Sequence, residues 1–170
     1  MVDGSGPGGL RLAKTLSLVV PACLLAGAYG FQYVWAHLYP CEMCWWQRYA
    51  HFAAVACALL SILAGASLPD RGRSLVWLAA LAILTSGGIA IYHAGVEAGI
   101  FEGLTQCTSI SSATSAADLL EDIMSSPMVR CDQIQWSLWG VSMAGWNAIL
   151  SCVSALVILW LSLRRPRRPA

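Results

Sequence analysis

Two cysteines three positions apart, Cys41 and Cys44, stand at the start of an apolar stretch long enough to cross a membrane. A Cys-x-x-Cys pair can close a small, reactive disulfide. The second cysteine is predicted near a helix N-terminus, where unpaired N–H groups and the helix dipole favour the thiolate. Arg48 follows Cys44 by four residues, so on a helix it shares a face with that sulfur. Placing a charged side chain near the end of a membrane-spanning helix costs free energy, which indicates that Arg48 has a function there. The spacing therefore predicts a redox centre that exchanges electrons with a lipid-dissolved acceptor.

Two other roles are open to Cys41 and Cys44. A zinc ion could bind them together with Cys107 and Cys131, but structural zinc sites usually combine two closely spaced pairs, and these two lie 24 positions apart. An inert disulfide is the other role, but a two-residue loop constrains the unfolded chain very little. The redox role is therefore favoured, and no metal site is expected.

Cys107 and Cys131 form a second candidate pair. Taken alone, a bond between them would be a staple, worth about 3 kcal/mol by loop entropy. A Ser/Thr-rich stretch, residues 108–115, follows Cys107 and is predicted to be mobile. A mobile stretch would let the cysteine pair move. This favours a disulfide that reacts first with a partner protein and then with a second disulfide.

Three polar residues are further candidates for ligand binding. Arg48 could anchor a helix end by extending its charge to water, but its one-turn spacing from Cys44 favours binding of an anionic or carbonyl group. His93 is predicted at a comparable depth and could donate to a carbonyl-bearing ligand or lie unused at the interface. Gln47 is a weaker candidate, and His51 is not assigned a role.

The elements that position these residues are predicted to be membrane helices. Of the 170 residues, 58% are hydrophobic and only 11% are charged, against roughly 25% in soluble domains. Four stretches of 21 to 31 residues lack Asp, Glu, Lys and Arg, and a spanning helix needs about 20 residues. The predicted spans are residues 15–38, 44–68, 75–94 and 145–163.

The basic residues predict the orientation of this four-helix bundle. Eight of the ten fall on one side, which marks that side, and both termini, as cytoplasmic. The net charge of +1 gives no indication of nucleic acid binding. The four cysteines of the two pairs fall on the outer side, where disulfides persist. The three cysteines inside predicted spans, Cys23, Cys57 and Cys152, are expected to be small buried hydrophobic residues.

The segments outside the spans are predicted to be short, with one exception. Residues 1–9 are interpreted as a flexible leader, and cleavage of the first span as a signal peptide is disfavoured because three more spans follow. A short external turn precedes Cys41. The longer external loop, residues 97–140, is predicted to carry one short amphipathic helix near residues 115–124. Trp136 and Trp139 are predicted interfacial anchors. The fold class is thus an all-α membrane protein, organised as one integral membrane domain over residues 1–170.

This arrangement resembles the DsbB family. The resemblance consists of Cys41-x-x-Cys44-x-x-x-Arg48 at the outer end of span two, His93 late in span three, and an external Cys107/Cys131 pair before span four. The stretch WSLWGVSMAGWN, residues 136–147, is also similar, and the resemblance extends over residues 12–163. Members of that family are multi-pass proteins of the bacterial inner membrane that reoxidise a periplasmic DsbA-like thioredoxin-fold protein and pass electrons to a quinone.

The resemblance implies a role for each candidate residue. The partner attacks a Cys107–Cys131 disulfide, freed Cys131 attacks Cys41, and Cys44 delivers electrons to a ubiquinone or menaquinone. Arg48 would stabilise negative charge, and His93 and Gln47 would belong to the quinone site. Because DsbA has a potential of about −120 mV, a quinone is a better acceptor than a nicotinamide.

Two further functions remain open at this point. A vitamin-K-epoxide-reductase-like enzyme also couples thiols to quinones, but there the loop cysteines precede the Cys-x-x-Cys, which is the reverse of the order here. A disulfide-stapled membrane scaffold without turnover would need none of the four cysteines to react.

Overall fold

Four long helices make up most of the computed structural model, which describes residues 7–103, 115 and 129–163. They are α1 (Pro7–Gly30), α2 (Glu42–Leu63), α3 (Arg73–Glu97) and α4 (Met143–Leu163). A π-helical turn, Phe31–Trp35, extends α1, and a 3₁₀ turn, Gly65–Ser67, follows α2. The predicted helical class is thus confirmed.

Three of the four predicted spans coincide with helices long and apolar enough to cross a membrane: Gly8–Trp35, Arg73–Glu97 and Met143–Leu163. Helix α2 is 22 residues long but does not qualify by composition. Its first half carries Gln47, Arg48 and His51, which lower its hydropathy. The fourth span therefore stays a prediction, and the residues that make it less apolar are those of the candidate site.

The start of α1 differs from the prediction. Pro7, Gly8 and Gly9, assigned above to a flexible leader, form the first turn of α1. Proline suits the first helical position because its φ is preset and its missing N–H would have no partner there. Residues 1–6 lie outside the described part of the chain.

The end of α2 also differs, because the helix stops at Leu63 and not at residue 68. Pro69 disfavours a helical conformation at Leu68, which is extended, and the intervening 3₁₀ turn closes the helix early.

The three cysteines within helices are less buried than expected. Cys23 is exposed, and Cys57 and Cys152 are partly exposed. The outward faces of a membrane bundle can be as apolar as its interior. The composition of a helix therefore does not tell which of its cysteines point inward.

Helices α3 and α4 approach closely at Gly87. A Cβ atom at this position would lie 2.7 Å from Cys152 Sγ and 3.3 Å from its main-chain N, whereas one on Gly88 would meet nothing within 4 Å. Of these two neighbouring glycines, only Gly87 therefore allows the close approach of this helix pair. The buried cluster around this contact consists largely of small and branched residues: Ala13, Ala54, Val76, Ala80, Ile83, Ala155, Ile158 and Leu161.

We expect Gly87→Ala to destabilise the protein by about 1–3 kcal/mol, because overpacking forces the two helices apart. Gly88→Ala is the matched control, which should be neutral or stabilising by up to about 1 kcal/mol, since alanine favours helix. Thermal unfolding of both variants in detergent micelles measures the difference. Equal stabilities of the two variants would contradict this packing.

The end of the bundle opposite to Cys41 holds basic residues. Lys14 Nζ donates to the main-chain oxygen of Ser61 at 2.6 Å, and Ser61 Oγ donates to the oxygen of Gly72 at 2.8 Å. Gly72 has a φ of +78°, and a side chain there would collide with Ser61. Asp70 accepts from the main-chain N–H groups of Gly72 and Ser74 at the start of α3. These bonds hold the turn between α2 and α3 against α1.

A small β-hairpin precedes α4, which the all-α prediction did not include. Strand β1 (Ser137–Leu138) pairs antiparallel with β2 (Val141–Ser142). Both turn residues have positive φ, +52° for Trp139 and +78° for Gly140, which is typical of a tight type I′ turn. The Trp139 ring packs against Trp146, while Trp136 packs against Phe31 with ring centroids 4.7 Å apart. The predicted amphipathic helix lies outside the described residues, apart from Ser115.

Candidate functional site

Cys41 and Cys44 lie at the N-terminus of α2. Cys41 is the N-cap residue, and its sulfur accepts the main-chain N–H of Cys44 at 3.4 Å. The two Sγ atoms are 3.1 Å apart, with the Cys41 thiol donating to Cys44. The prediction that the second cysteine lies near a helix N-terminus is confirmed, since the helix begins at Glu42. The pair is therefore held in the geometry that disulfide formation needs, with Cys44 at the positive end of the helix dipole.

Cys131 also lies beside Cys41. Both residues are buried and pack with Met43 in one cluster, beside partly buried Cys44. The Sγ atoms of Cys41 and Cys131 and a ring nitrogen of His93 all lie within 4.8 Å of one another. Cys41 thus has two sulfur neighbours, Cys44 and Cys131. Cys107 lies outside the described residues, so its pairing with Cys131 stays a prediction.

The surroundings of Cys41 keep its thiol protonated. The contact with Cys131 favours the thiolate, but the Cys44 thiol and burial outweigh it and raise the pKa of Cys41 to about 12. When both cysteines are reduced, Cys41 therefore retains its proton at neutral pH. In the reduced pair, negative charge is therefore more favourable on Cys44 than on Cys41.

Arg48 is buried between α1 and α2, with 7% of its surface exposed. Its Nη1 donates to Gln32 Oε1 at 2.6 Å, and its guanidinium lies 4.7 Å from the Tyr29 ring centroid and 5.1 Å from that of Trp45. Among the described residues no carboxylate pairs with it. Such burial does not fit an anchor that extends its charge to water. A buried cation without an acidic partner favours anionic or electron-rich ligands.

His93 and Gln47 are in direct contact. Gln47 Nε2 lies 3.0 Å from His93 Nδ1, and His93 Nε2 lies 3.6 Å from Cys41 Sγ and 3.8 Å from Glu97 Oε1. The imidazole also contacts the main chain of Cys131. The predicted candidates on α2 and α3 are therefore brought together, and both ring nitrogens of His93 face protein atoms.

A cavity of about 300 Å³ opens beside these residues. Its polar lining comes from Cys41, Cys44, Gln47, Arg48, His51, His93, Glu97 and Asn147, among others. Its apolar lining includes Leu24, Leu25, Ala28, Phe31, Trp136 and Met143. A concave, mainly apolar site with a few converging polar groups is typical of small-molecule binding.

Several polar residues of the site were not assigned from the sequence. Asn147 on α4 bonds to Gln47, His51 and Ser86, and Gln32 holds Arg48. One signal was available for His51, which follows Cys44 by seven residues and Gln47 by four and so lies on the same helix face. Nothing in the sequence indicates where a single amide in α4 will point, because that depends on how the helix packs.

The zinc alternative required Cys107 as a ligand, and that residue lies outside the described part of the chain. Of the other three proposed ligands, Cys131 and Cys44 both lie near Cys41. The thiols of Cys41 and Cys44 are hydrogen-bonded to each other. The structure therefore brings together three of the four cysteines, an arrangement that disulfide exchange also requires.

Comparison with known proteins identifies relatives over nearly the whole chain. The model of the family "Disulfide bond formation protein DsbB" matches residues 11–161. "Disulfide bond formation protein B" of Paracidovorax citrulli is 32% identical, covering 91% of this chain and 89% of that protein. The protein of the same name from Verminephrobacter eiseniae is also 32% identical, covering 94% of this chain and 92% of that protein. No solved structure matches the chain.

Proposed function

The chain belongs to the DsbB family of disulfide bond formation proteins, and we propose that it reoxidises a DsbA-like thiol oxidase and passes the electrons to a membrane quinone. The single observation that carries this proposal is the position of Cys44 and Arg48 on the wall of one cavity. The cavity places a sulfur that can carry negative charge beside space for a ligand, together with a guanidinium that no carboxylate of the described residues neutralises.

The residues around the cavity fit a quinone head group. Its volume lies at the lower end of the range for small-molecule sites, about 300–1,000 Å³. The apolar lining suits a hydrophobic ring, and Arg48 and Gln47 supply N–H groups for carbonyl oxygens. When bound, a quinone supplies the capacity to take up two electrons and two protons, which re-formation of the Cys41–Cys44 disulfide releases.

The sulfur atoms can move the electrons by successive exchanges. A partner thiolate attacks Cys107 of the Cys107–Cys131 disulfide, forms a mixed disulfide and releases Cys131 as a thiolate. Cys131 then attacks Cys41, so that the Cys41–Cys131 bond forms, the Cys41–Cys44 bond breaks and Cys44 leaves as a thiolate. The contact between Cys41 and Cys131 supports this step.

The remaining exchanges restore the loop disulfide. The second partner cysteine displaces Cys107, which then attacks Cys131 and releases Cys41 as a thiolate. The partner dithiol has thereby become a disulfide, and its two electrons reside on Cys41 and Cys44. Arg48, on the same cavity wall as Cys44, stabilises negative charge that develops there.

We further propose that the cysteines face the periplasm and both termini face the cytoplasm of a bacterial inner membrane. Lys14 and the turn that carries Arg71 lie together at the end of the bundle opposite to Cys41. A cluster of basic residues marks the cytoplasmic end of membrane proteins.

Quinone reduction by the purified protein tests the function. Full-length protein in detergent is mixed with a reduced DsbA-like protein and a short-chain ubiquinone or menaquinone, and the quinone absorbance is followed. We expect catalytic reduction of one of the two, and the same rate for Cys57→Ser, which removes a cysteine outside the cavity. Absence of turnover with both quinones, or a stoichiometric zinc ion in the purified protein, would contradict the proposal.

A further inference from the structure

Hydrogen bonds between α2, α3 and α4 connect Asn147 to Gln47 and His93, and their direction can be deduced. Ser86 Oγ lies 3.2 Å from the main-chain oxygen of Gln47, which can only accept. The single hydroxyl proton of Ser86 is therefore used there. Its two other neighbours, Asn147 Nδ2 at 3.2 Å and His51 Nε2 at 3.0 Å, must both be donors to Ser86.

The direction at Ser86 determines how the Asn147 amide is oriented. With its NH₂ group toward Ser86, its second N–H donates to Gln47 Oε1 at 2.8 Å. Its Oδ1 accepts from Ser151 Oγ at 2.9 Å and faces the single Nε2–H of His51 at 3.0 Å, a proton that it shares with Ser86 Oγ. The amide thus uses both donors and both acceptor positions. If the Asn147 amide were turned by 180°, its Oδ1 would face Ser86 Oγ, whose only proton is already used, and the two oxygens would repel each other.

Gln47 transmits this orientation to His93. Because Gln47 Oε1 is occupied by Asn147, its NH₂ group faces His93 Nδ1 at 3.0 Å. A neutral imidazole has one N–H, and an amide nitrogen cannot accept, so Nδ1 of His93 must be the acceptor. The proton of the ring is then on Nε2. The two groups beside Nε2, Cys41 Sγ at 3.6 Å and Glu97 Oε1 at 3.8 Å, are both able to accept.

We propose that Asn147 is a positioning residue that, through Gln47, holds His93 in the tautomer with its proton on Nε2, directed at the sulfur of Cys41. The assignment of the tautomer does not depend on any activity, whereas its role in disulfide exchange rests on the proposed function. When Cys107 attacks Cys131, the Cys41–Cys131 bond breaks and its electron pair remains on Cys41. The Nε2–H group then donates to that thiolate. His93 thus contributes to disulfide exchange.

Histidine ¹⁵N NMR of the reduced full-length protein in micelles tests the tautomer without any substrate. His93→Gln assigns the signal among the three histidines of the chain. We expect a single neutral tautomer with the proton on Nε2. In Gln47→Glu, the carboxylate faces Nδ1 and can only accept, so Nδ1 should become protonated. In Asn147→Leu, the signal should change to a mixture of tautomers. A wild-type proton on Nδ1, or no change in either variant, would overturn the proposal.

Kinetics then test the use of the tautomer. Asn147→Leu should lower kcat for oxidation of the DsbA-like partner about tenfold, in addition to any change in KM for the quinone, since Asn147 also lines the cavity. Ser154→Ala is the control on the same helix, since Ser154 bonds only within α4; it should match wild type in both tautomer and rate. A raised quinone KM with unchanged kcat would overturn the assignment to Cys41. Absence of quinone turnover in wild type would refute the proposed function and leave the NMR result valid.

Discussion

Replacing Cys44 with serine should reduce quinone turnover to the background rate without unfolding the protein. Serine cannot form a disulfide with Cys41, so the Cys-x-x-Cys pair can no longer be reduced by disulfide exchange and then pass electrons to a quinone in the cavity. The unfolding free energy should change by no more than about 1 kcal/mol, because the Cys44 side chain is only partly buried. The main-chain N–H of residue 44 can still donate to Cys41 Sγ in the variant. Quinone absorbance and thermal unfolding in the same detergent measure the two effects.

This substitution also separates an enzyme from a stapled scaffold. A scaffold would tolerate Cys44→Ser in every assay, whereas an oxidase would keep its fold and lose all turnover. Cys57→Ser, on the same helix but away from the cavity, is the matched control and should behave as wild type. Turnover that survives in the Cys44 variant would show that another sulfur donates the electrons and would remove the basis of the proposed function.

Arg48→Met should weaken quinone binding by about 10- to 100-fold and preserve the helical fold. The estimate corresponds to the loss of one hydrogen bond from a charged group, about 1.5–3 kcal/mol. Methionine keeps much of the apolar stem that packs beside Tyr29 and Trp45. The readout is KM for the quinone at saturating partner. The loss of the bond to Gln32 should lower the unfolding temperature slightly.

The control for this variant is Arg11→Met, which removes an exposed positive charge at the opposite end of α1. It should leave KM unchanged, because the charge lies far from the cavity. If Arg48→Met also left the quinone kinetics unchanged, the guanidinium would serve only to join α1 and α2. The assignment of Arg48 to the ligand would then be wrong, although the cysteine chemistry could still stand.

Local spacing predicted much of the candidate site. The four-residue separation of Cys44 and Arg48 places both on the cavity wall, and the late position of His93 in α3 brings it to Cys41. These relations depend on helix periodicity and on which end of a helix a residue occupies. Both relations follow from the order of the residues along one helix and do not depend on how the helices pack against one another.

Packing between helices was not predictable in the same way. The role of Asn147 depends on the rotation of α4 against α2, and nothing in an apolar run with one amide specifies that rotation. The hairpin before α4 was missed because its turn places Trp139, a bulky residue, at positive φ, where small or Asx residues are usual. Burial of the cysteines within helices was misjudged for a related reason, since lipid-facing and core-facing positions have similar compositions.

The contact of Cys41 with two other sulfurs has a consequence for the protein as a whole. Under the proposed function, a soluble partner needs to meet only the loop, and a lipid-borne oxidant needs to meet only the cavity beside Cys44, so the two never have to touch. Each interface can therefore change without altering the other. Exchanging the loop for that of a relative should redirect the choice of protein client while the choice of electron acceptor stays the same.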